Sequence, residues 1–492
     1  DATKREPLVI ELLRASNLIT AEQLLSAAQS AQQFGRADEA KVYLTKLLDA
    51  KPADEALAAL TGKYGDFLLR ISRQENLQPE GRQAADMIYS AAQRVTQSNE
   101  RIAAAIAQLS DPIQGKRDQA INLLSAAGTA CVNPLLAVLA DPAREKEHAG
   151  VRTALVALAP ITELPLLGAL DTPNNSLKMQ VIAALGGIGS SRAAISLVRP
   201  AVDPQSPAVL RKLAAAALQR ISGTVPDRYD AEKYLSREID RCLRGELPFD
   251  RDVNDLVTFW SWDQSQQGVA SLTLPRLDVG VLLATRAADD LFALKPTDAA
   301  AQRLMLLTNL EFAKVLGGLH QPLAVGPATA GSLAIAAGPQ AINQVLADAM
   351  RQGRVPAAIA AAEVLGHIGD PEVLRSAGGS QTPLAEALTF PDRRVRLAAA
   401  LAAIRLAPGG SFAGAGRIAE SLGSFINTTG NDFVLIGHPR GEEAQSLVGF
   451  MNALGYEGEA AYSGRLFVEK AFTNPDAPFL LLSEAKIGRA HV

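Results

Sequence analysis

Asp203-Pro204-Gln205-Ser206-Pro207-Ala208-Val209-Leu210-Arg211-Lys212-Leu213-Ala214-Ala215-Ala216-Ala217-Leu218 is the stretch on which the reading of the fold turns. An Asp-Pro step leads into Ala, Leu and Val at helical spacing, and the same order of events begins at Asp111-Pro112, Asp141-Pro142 and Asp171-Thr172-Pro173. A step that returns about every thirty residues is the mark of a repeat architecture. The Asp carboxylate suits a helix cap, and Pro suits the first helical position, where no amide hydrogen is needed. Helix pairs stacked in this way bury their apolar faces between neighbouring repeats and leave one long surface free, which holds partners rather than reacting with substrates. The expectation is a mostly α-helical solenoid whose work is binding.

The bulk composition agrees. Of 492 residues, 48% are hydrophobic, 20% charged and 5% aromatic, which excludes a disordered chain and fits closely packed Ala-rich helices. A net charge of -4 offers no field for neutralising phosphates, so nucleic acid is not an expected partner. Cys131 and Cys242 are far apart, and the five histidines, His148, His320, His367, His438 and His491, show no metal-ligand spacing, so neither a disulfide framework, a metal site nor a cofactor is expected. No uninterrupted apolar run approaches the roughly twenty residues of a membrane span; the most apolar stretch, 325–337, is broken by Gly and Pro. The chain reads as soluble and cytoplasmic by default, with export left open because it begins at Asp1.

Working outward toward the start, residues 8–95 are helical in pattern throughout. Within 28–53, Gly35 separates two apolar-periodic stretches and Pro52 closes the second, a helix, turn, helix unit. Gly35-Arg36-Ala37-Asp38-Glu39-Ala40, followed by Leu47, Leu48 and Pro52, resembles a tetratricopeptide repeat, although the first helix lacks the aromatic signature.

Between 102 and 223, the helices after each Asp-Pro step carry Val151-Arg152, Leu177-Lys178 and Leu210-Arg211 ahead of Ala-rich stretches, and one of them ends Leu185-Gly186-Gly187-Ile188-Gly189. This resembles bacterial HEAT-type repeats. The likeness resumes at 357–371, ending Leu365-Gly366-His367-Ile368-Gly369-Asp370-Pro371, and again at Pro391-Asp392 with Val395-Arg396. The recurring cations Arg152, Lys178, Arg211 and Arg396 are expected to form a structural ladder, each pairing with the capping Asp of a neighbouring repeat.

Residues 225–338 break the period. Thr258-Phe259-Trp260-Ser261-Trp262 and Ala270-Ser271-Leu272-Thr273-Leu274 are β-prone runs around a polar segment, which predicts a small hairpin. Trp260 and Trp262 fall on one face of that strand, where together they would form an aromatic platform for a glycan or peptide if exposed, or ordinary core if buried. Residues 282–293 and 299–316 form another tetratricopeptide-like pair about a Lys295-Pro296-Thr297-Asp298 turn, and 324–339 reads as a linker or returning loop.

After residue 428 the pattern becomes α/β, with strands at 433–436, 458–462 and 479–482 and helices at 441–454 and 464–472. Ala453-Leu454-Gly455-Tyr456-Glu457 and Ala461-Tyr462-Ser463-Gly464 resemble the first half of a response-regulator receiver domain, a flavodoxin-like sheet. That resemblance implies an acceptor Asp after the third strand and an acidic pair after the first. Ser483 stands at the acceptor position and Gly437-His438 at the acidic pair, and Glu484 would point to the opposite face. The receiver activity is therefore not expected to carry over, and a pseudo-receiver used for contact is predicted. A phosphate site at 437–441, before the helix, is the alternative. Gly414-Ala415-Gly416-Arg417-Ile418-Ala419 spells a dinucleotide fingerprint but lacks the preceding strand, so an inter-helix turn is expected.

The expected organisation is tetratricopeptide-like helices over 1–100, HEAT-like repeats over 101–224, the hairpin and helical insertion over 225–338, HEAT-like repeats over 339–428 and a truncated receiver-like module over 429–486. Residues 487–492, Ile-Gly-Arg-Ala-His-Val, resemble the translation of the sequencing adapter ATC GGA AGA GCA CAC GTC and are expected to be an artefact. The function expected is a protein–protein interaction scaffold and not an enzyme, with no catalytic residues. The alternatives are a regulatory protein whose terminal module binds phosphate or nucleotide, and a glycan or peptide binder using Trp260 and Trp262.

Overall fold

In a computed structural model, residues 8–250, 252–375, 381–406, 411–426, 433–473 and 479–483 are described. The beginning of the expected α/β module at 429–432, Glu484 and the adapter-like hexapeptide lie outside them. The described residues are mostly helical with two small sheets. It divides into two compact units, one of residues 1–231 and 248–275, the other of 232–247 and 276–492.

In the first unit, a short helix Leu8–Ala15 is followed by helices Ala21–Gln33, Ala37–Ala50, Asp54–Ile71 and Glu80–Thr96. Thr20 caps Ala21–Gln33 through its side chain and receives Gln23 in return, a capping box that satisfies otherwise orphaned amides. Leu25, Leu44, Phe67, Leu68 and Ile88 meet in one continuous core. Further helices follow, including Gln114–Ala127, Val132–Ala140, Glu145–Ala157, Ala159–Ala169, Asn175–Ile188 and Ala208–Ser222.

At Asp141-Pro142 and Asp370-Pro371 the Asp caps a short 3-10 helix with Pro at its start, as expected, whereas the helices after Asp111 and Asp203 have no side-chain cap. Asp111, Asp141 and Asp203 each accept the amide two residues on, from Ile113, Ala143 and Gln205, all at 2.9 Å. These are Asx turns, in which the short carboxylate closes the backbone locally. Pro142 opens a 3-10 turn, and at the third step Asn174, not Asp171, caps the helix by accepting from Ser176 and Leu177.

Gln114–Ala140, two helices and the 3-10 turn between them, is long and apolar enough by length and composition to cross a membrane. Of its apolar window, 44% lies inside the protein. The sequence reading missed this stretch because Gly128 and scattered polar residues interrupt the run.

The predicted hairpin is present as β1, Leu256–Asp263, antiparallel to β2, Gly268–Pro275, with Trp260 opposite Ser271 and Trp262 opposite Val269. It packs on helices Ala159–Ala169 and Val132–Ala140. Gly168 is required there, because a Cβ would lie 2.7 Å from the Trp260 backbone.

In the second unit, helices Arg276–Leu294 and Ala299–Gly317 pair about a turn in which Asp298 accepts from Ala300 and Ala301. The expected linker at 324–339 contains a helix, Ala330–Ala337. The Thr329 side chain accepts from Ser332, and Gly331 lies so close to the Ala324 carbonyl that a Cβ would come within 2.5 Å of the oxygen. Alanines at 330, 334, 336 and 337, which turn statistics treat as neutral, sustain it. Helices Pro339–Arg351, Val355–Ile368 and Arg393–Leu406 then pack in succession.

The last sheet is parallel, in the order β4 (Glu457–Ala461), β3 (Phe433–Gly437), β5 (Phe479–Leu482). Helices Gly441–Ala453 and Gly464–Thr473 connect these strands. Val434 and Ile436 face one small core with Ala444 and Val448, and Leu435 faces another with Ala461 and Phe467, the alternation of a sheet covered on both sides.

Candidate functional site

The recurring cations do not pair with the capping Asp of a neighbouring repeat. Arg211 donates to the carbonyl of Pro204 at 3.3 Å, and Arg396 donates to those of Phe390 and Pro391, both at 2.7 Å. Arg117, which the sequence reading passed over, does the same at Asp111 (2.7 Å) and Pro112 (2.9 Å). Each guanidinium thus closes the carbonyls of its own inter-helix turn, groups that a helix end leaves without partners. The Asp carboxylates are engaged closer to home, Asp111 by Lys116 at 3.0 Å and Asp392 by Arg394 at 2.8 Å. Arg152 instead donates to Gln180 of helix Asn175–Ile188, and the side chain of Lys178 makes no hydrogen bond or ion pair among the described residues.

A second device recurs at the two Leu-Gly-x-Ile-Gly endings. At Gly186 a Cβ would come within 2.9 Å of Ala217 Cβ, and at Gly366 within 3.0 Å of Ala402 Cα. The following Gly189 and Gly369 both terminate their helices in the left-handed conformation, at φ of 77° and 75°. In both segments one glycine lets a later helix, Ala208–Ser222 or Arg393–Leu406, approach and the other ends its own helix.

Trp260 and Trp262 are both half-buried, so they form neither an open platform nor full core. The Trp262 indole donates to Gln264 at 3.1 Å. Strand alternation places both rings on one face, while Val257 and Phe259 fill the buried opposite face.

Gly437 and Ser483 sit side by side at the strand ends, with the Ser483 amide donating to the Gly437 carbonyl at 2.9 Å. A Cβ on Gly437 would fall 2.7 Å from the Phe467 side chain and 2.8 Å from that of Leu482, so a carboxylate there would have to displace both. His438 is committed to its loop. Its Nδ1 accepts from the Arg440 amide at 3.1 Å, and its Nε2 lies 3.0 Å from a Glu443 carboxylate oxygen. Glu442 and Glu443 occupy the first turn of the Gly441–Ala453 helix. That acidic turn already complements the helix dipole and disfavours the phosphate site considered for 437–441.

Gly414 and Gly416 lie in a turn leading to helix Arg417–Ile426, and among the described residues no strand leads into it as a dinucleotide fingerprint requires. Both cysteines are buried, and burial pushes the thiol of Cys131 up to about 11; burial, then Glu238, pushes that of Cys242 up to about 12. Neither is poised as a nucleophile. Among the described residues, no group of three or more His, Cys, Asp or Glu is arranged to hold a metal ion. No family model matches the chain, and no curated protein matches it.

Proposed function

We propose that this chain is a non-catalytic protein–protein interaction scaffold. On this reading its helices form an α-solenoid, tetratricopeptide-like at the start and HEAT-like beyond, followed by a degenerate receiver-like module. The observation that carries the proposal is the reuse of one pair of glycines, Gly186 with Gly189 and Gly366 with Gly369, for the same two packing tasks in segments 180 residues apart. The turn-closing guanidinium of Arg117, Arg211 and Arg396 supports the same repeat reading. Such a stack extends its surface with every repeat, which suits it to large partners.

The strand order β4-β3-β5 supports the receiver likeness, since it is the order of the first three strands in flavodoxin-like sheets. The packed Gly437 and the committed His438 support a role in contact rather than phosphoryl transfer.

The test is affinity purification of the full chain from its source lysate, followed by calorimetry with each enriched protein after separate purification. The expected result is direct binding that weakens when exposed Leu123 and Val209, 45% and 60% accessible, are replaced by glutamate. Failure of every purified protein to bind directly, or consumption of a metabolite from a defined mixture, would overturn the reading.

A second reading, glycan or peptide capture by the hairpin, is favoured by the half-exposure of Trp260 and Trp262 on one face. A shift of tryptophan emission on adding a glycan or peptide panel supports it, and emission unresponsive to ligand and quencher rejects it.

A further inference from the structure

A cleft of about 210 Å³ opens between helices Val355–Ile368 and Arg393–Leu406, beside the turn at 319–322. Gly366 sets its width by letting the two helices approach. The walls are aliphatic, from Leu319, Ile359, Leu397 and Leu401.

The charges in the cleft do not balance. Glu363 is the one carboxylate lining it, and both its oxygens are taken. Oε1 lies 2.7 Å from Nζ of Lys314, a side chain only 2% accessible, and Oε2 accepts from the Leu323 amide at 2.8 Å. Arg394 is held by Asp392 at 2.8 Å. His367 holds the Glu363 carbonyl through Nδ1 at 2.8 Å. The exposed side chain of Arg405, by contrast, makes neither a hydrogen bond nor an ion pair among the described residues, and its aliphatic stem runs alongside Gly366. One guanidinium without a counter-charge therefore stands at the edge of an aliphatic recess.

We propose that this cleft binds a small organic carboxylate with an aliphatic body. A guanidinium matches a carboxylate with two parallel hydrogen bonds. One unbalanced cation calls for a monoanion, which favours a carboxylate over a phosphate dianion. The space between the four aliphatic side chains takes the hydrocarbon part.

Calorimetry on the full chain with hexanoate as the probe tests this, with hexylamine, 1-hexanol and inorganic phosphate as comparisons. Hexanoate is expected to bind at millimolar concentration or below, and the other three at least about tenfold more weakly. Arg405→Gln is expected to weaken hexanoate by about tenfold or more, while Arg405→Lys retains part of the affinity. In the unaltered protein, the methyl resonances of Ile359 and Leu401 are expected to shift with hexanoate, a readout that needs no variant to fold. The proposal is overturned if hexanol binds as well as hexanoate, if phosphate binds better, if no probe binds, or if a folded Arg405→Gln protein binds as tightly as the original. Hexanoate binding that leaves both methyl resonances unmoved also overturns it.

Discussion

The side-chain amide of Asn133 pairs with the backbone of Val269 as a neighbouring strand would. Its Nδ2 donates to the Val269 carbonyl at 2.9 Å, and the Val269 amide donates to its Oδ1 at 2.7 Å. The contact satisfies both outward backbone groups at one point on the β2 edge and fastens the hairpin to the Val132–Ala140 helix. Gly268 leaves room for it, since a Cβ would lie 2.8 Å from Oδ1.

Asn133→Ala is therefore expected to free the hairpin, at a cost of about 1–3 kcal/mol for partly buried backbone groups left unpaired. Hydrogen exchange should accelerate at the Val269 amide. Asn133→Asp is expected to keep protection at that amide and still lose stability, because a carboxylate accepts but leaves the Val269 carbonyl without a donor. Unchanged exchange in Asn133→Ala would show that the hairpin is held by its apolar face alone.

The turn-closing arginines differ in geometry, and their truncations should differ in effect. Arg396 reaches two carbonyls at 2.7 Å, whereas Arg211 reaches one at 3.3 Å. Arg396→Ala is expected to cost about 1–2 kcal/mol and Arg211→Ala less than about 1 kcal/mol. Denaturant unfolding of the two variants measures the order; the reverse order would contradict the turn-closing role.

Two glycine-to-alanine changes should have opposite signs. Gly62 lies inside helix Asp54–Ile71 with nothing within 4 Å of a new Cβ, so Gly62→Ala is expected to stabilise by about 0.5–1 kcal/mol. Gly168→Ala forces the new methyl into the Trp260 backbone at 2.7 Å and is expected to cost about 1–3 kcal/mol. Tryptophan emission should change in the second variant alone.

Acid should act through Asp298. A hydrogen bond from Lys295, then the amides of Ala301 and Ala300, lowers its carboxyl from 3.8 to about 2. The folded state thus favours the charged form. Its contribution is complete above the ordinary value of 3.8 and is lost as pH falls through about 2. Carboxyl resonances followed by NMR should place the Asp298 midpoint near 2, and Asp298→Ala should flatten the loss of stability between those values. A midpoint near 3.8 would show that the Lys295 contact does not persist in solution.

The helices and most of their ends were legible in the sequence because they rest on local chemistry. Apolar spacing marks a buried stripe wherever it occurs, Asp298 caps through amides two and three residues away, and Gly189 and Gly369 supply a conformation that a Cβ resists. The hairpin and the β-α alternation after residue 432 were legible for the same reason, since strand and helix periods differ within a few residues. Side-chain partners drawn from distant segments were not legible. Arg211 and Arg396 could be seen to recur, but whether they meet a neighbour's Asp or their own turn depends on which carbonyls packing leaves unsatisfied. Alternation put Trp260 and Trp262 on one face, yet how far each face is covered depends on the helices that pack against the hairpin.

The sequence alone thus determined a mostly helical chain with a hairpin and a small parallel sheet, through propensities and caps that act over a few residues. Tertiary structure alone decided that Asn133 meets Val269 and that Lys314 neutralises Glu363, while the Arg405 side chain has no ion pair among the described residues. Those outcomes turn on angstrom-scale distances between segments tens of residues apart, and periodicity encodes which face is buried without saying what it is buried against.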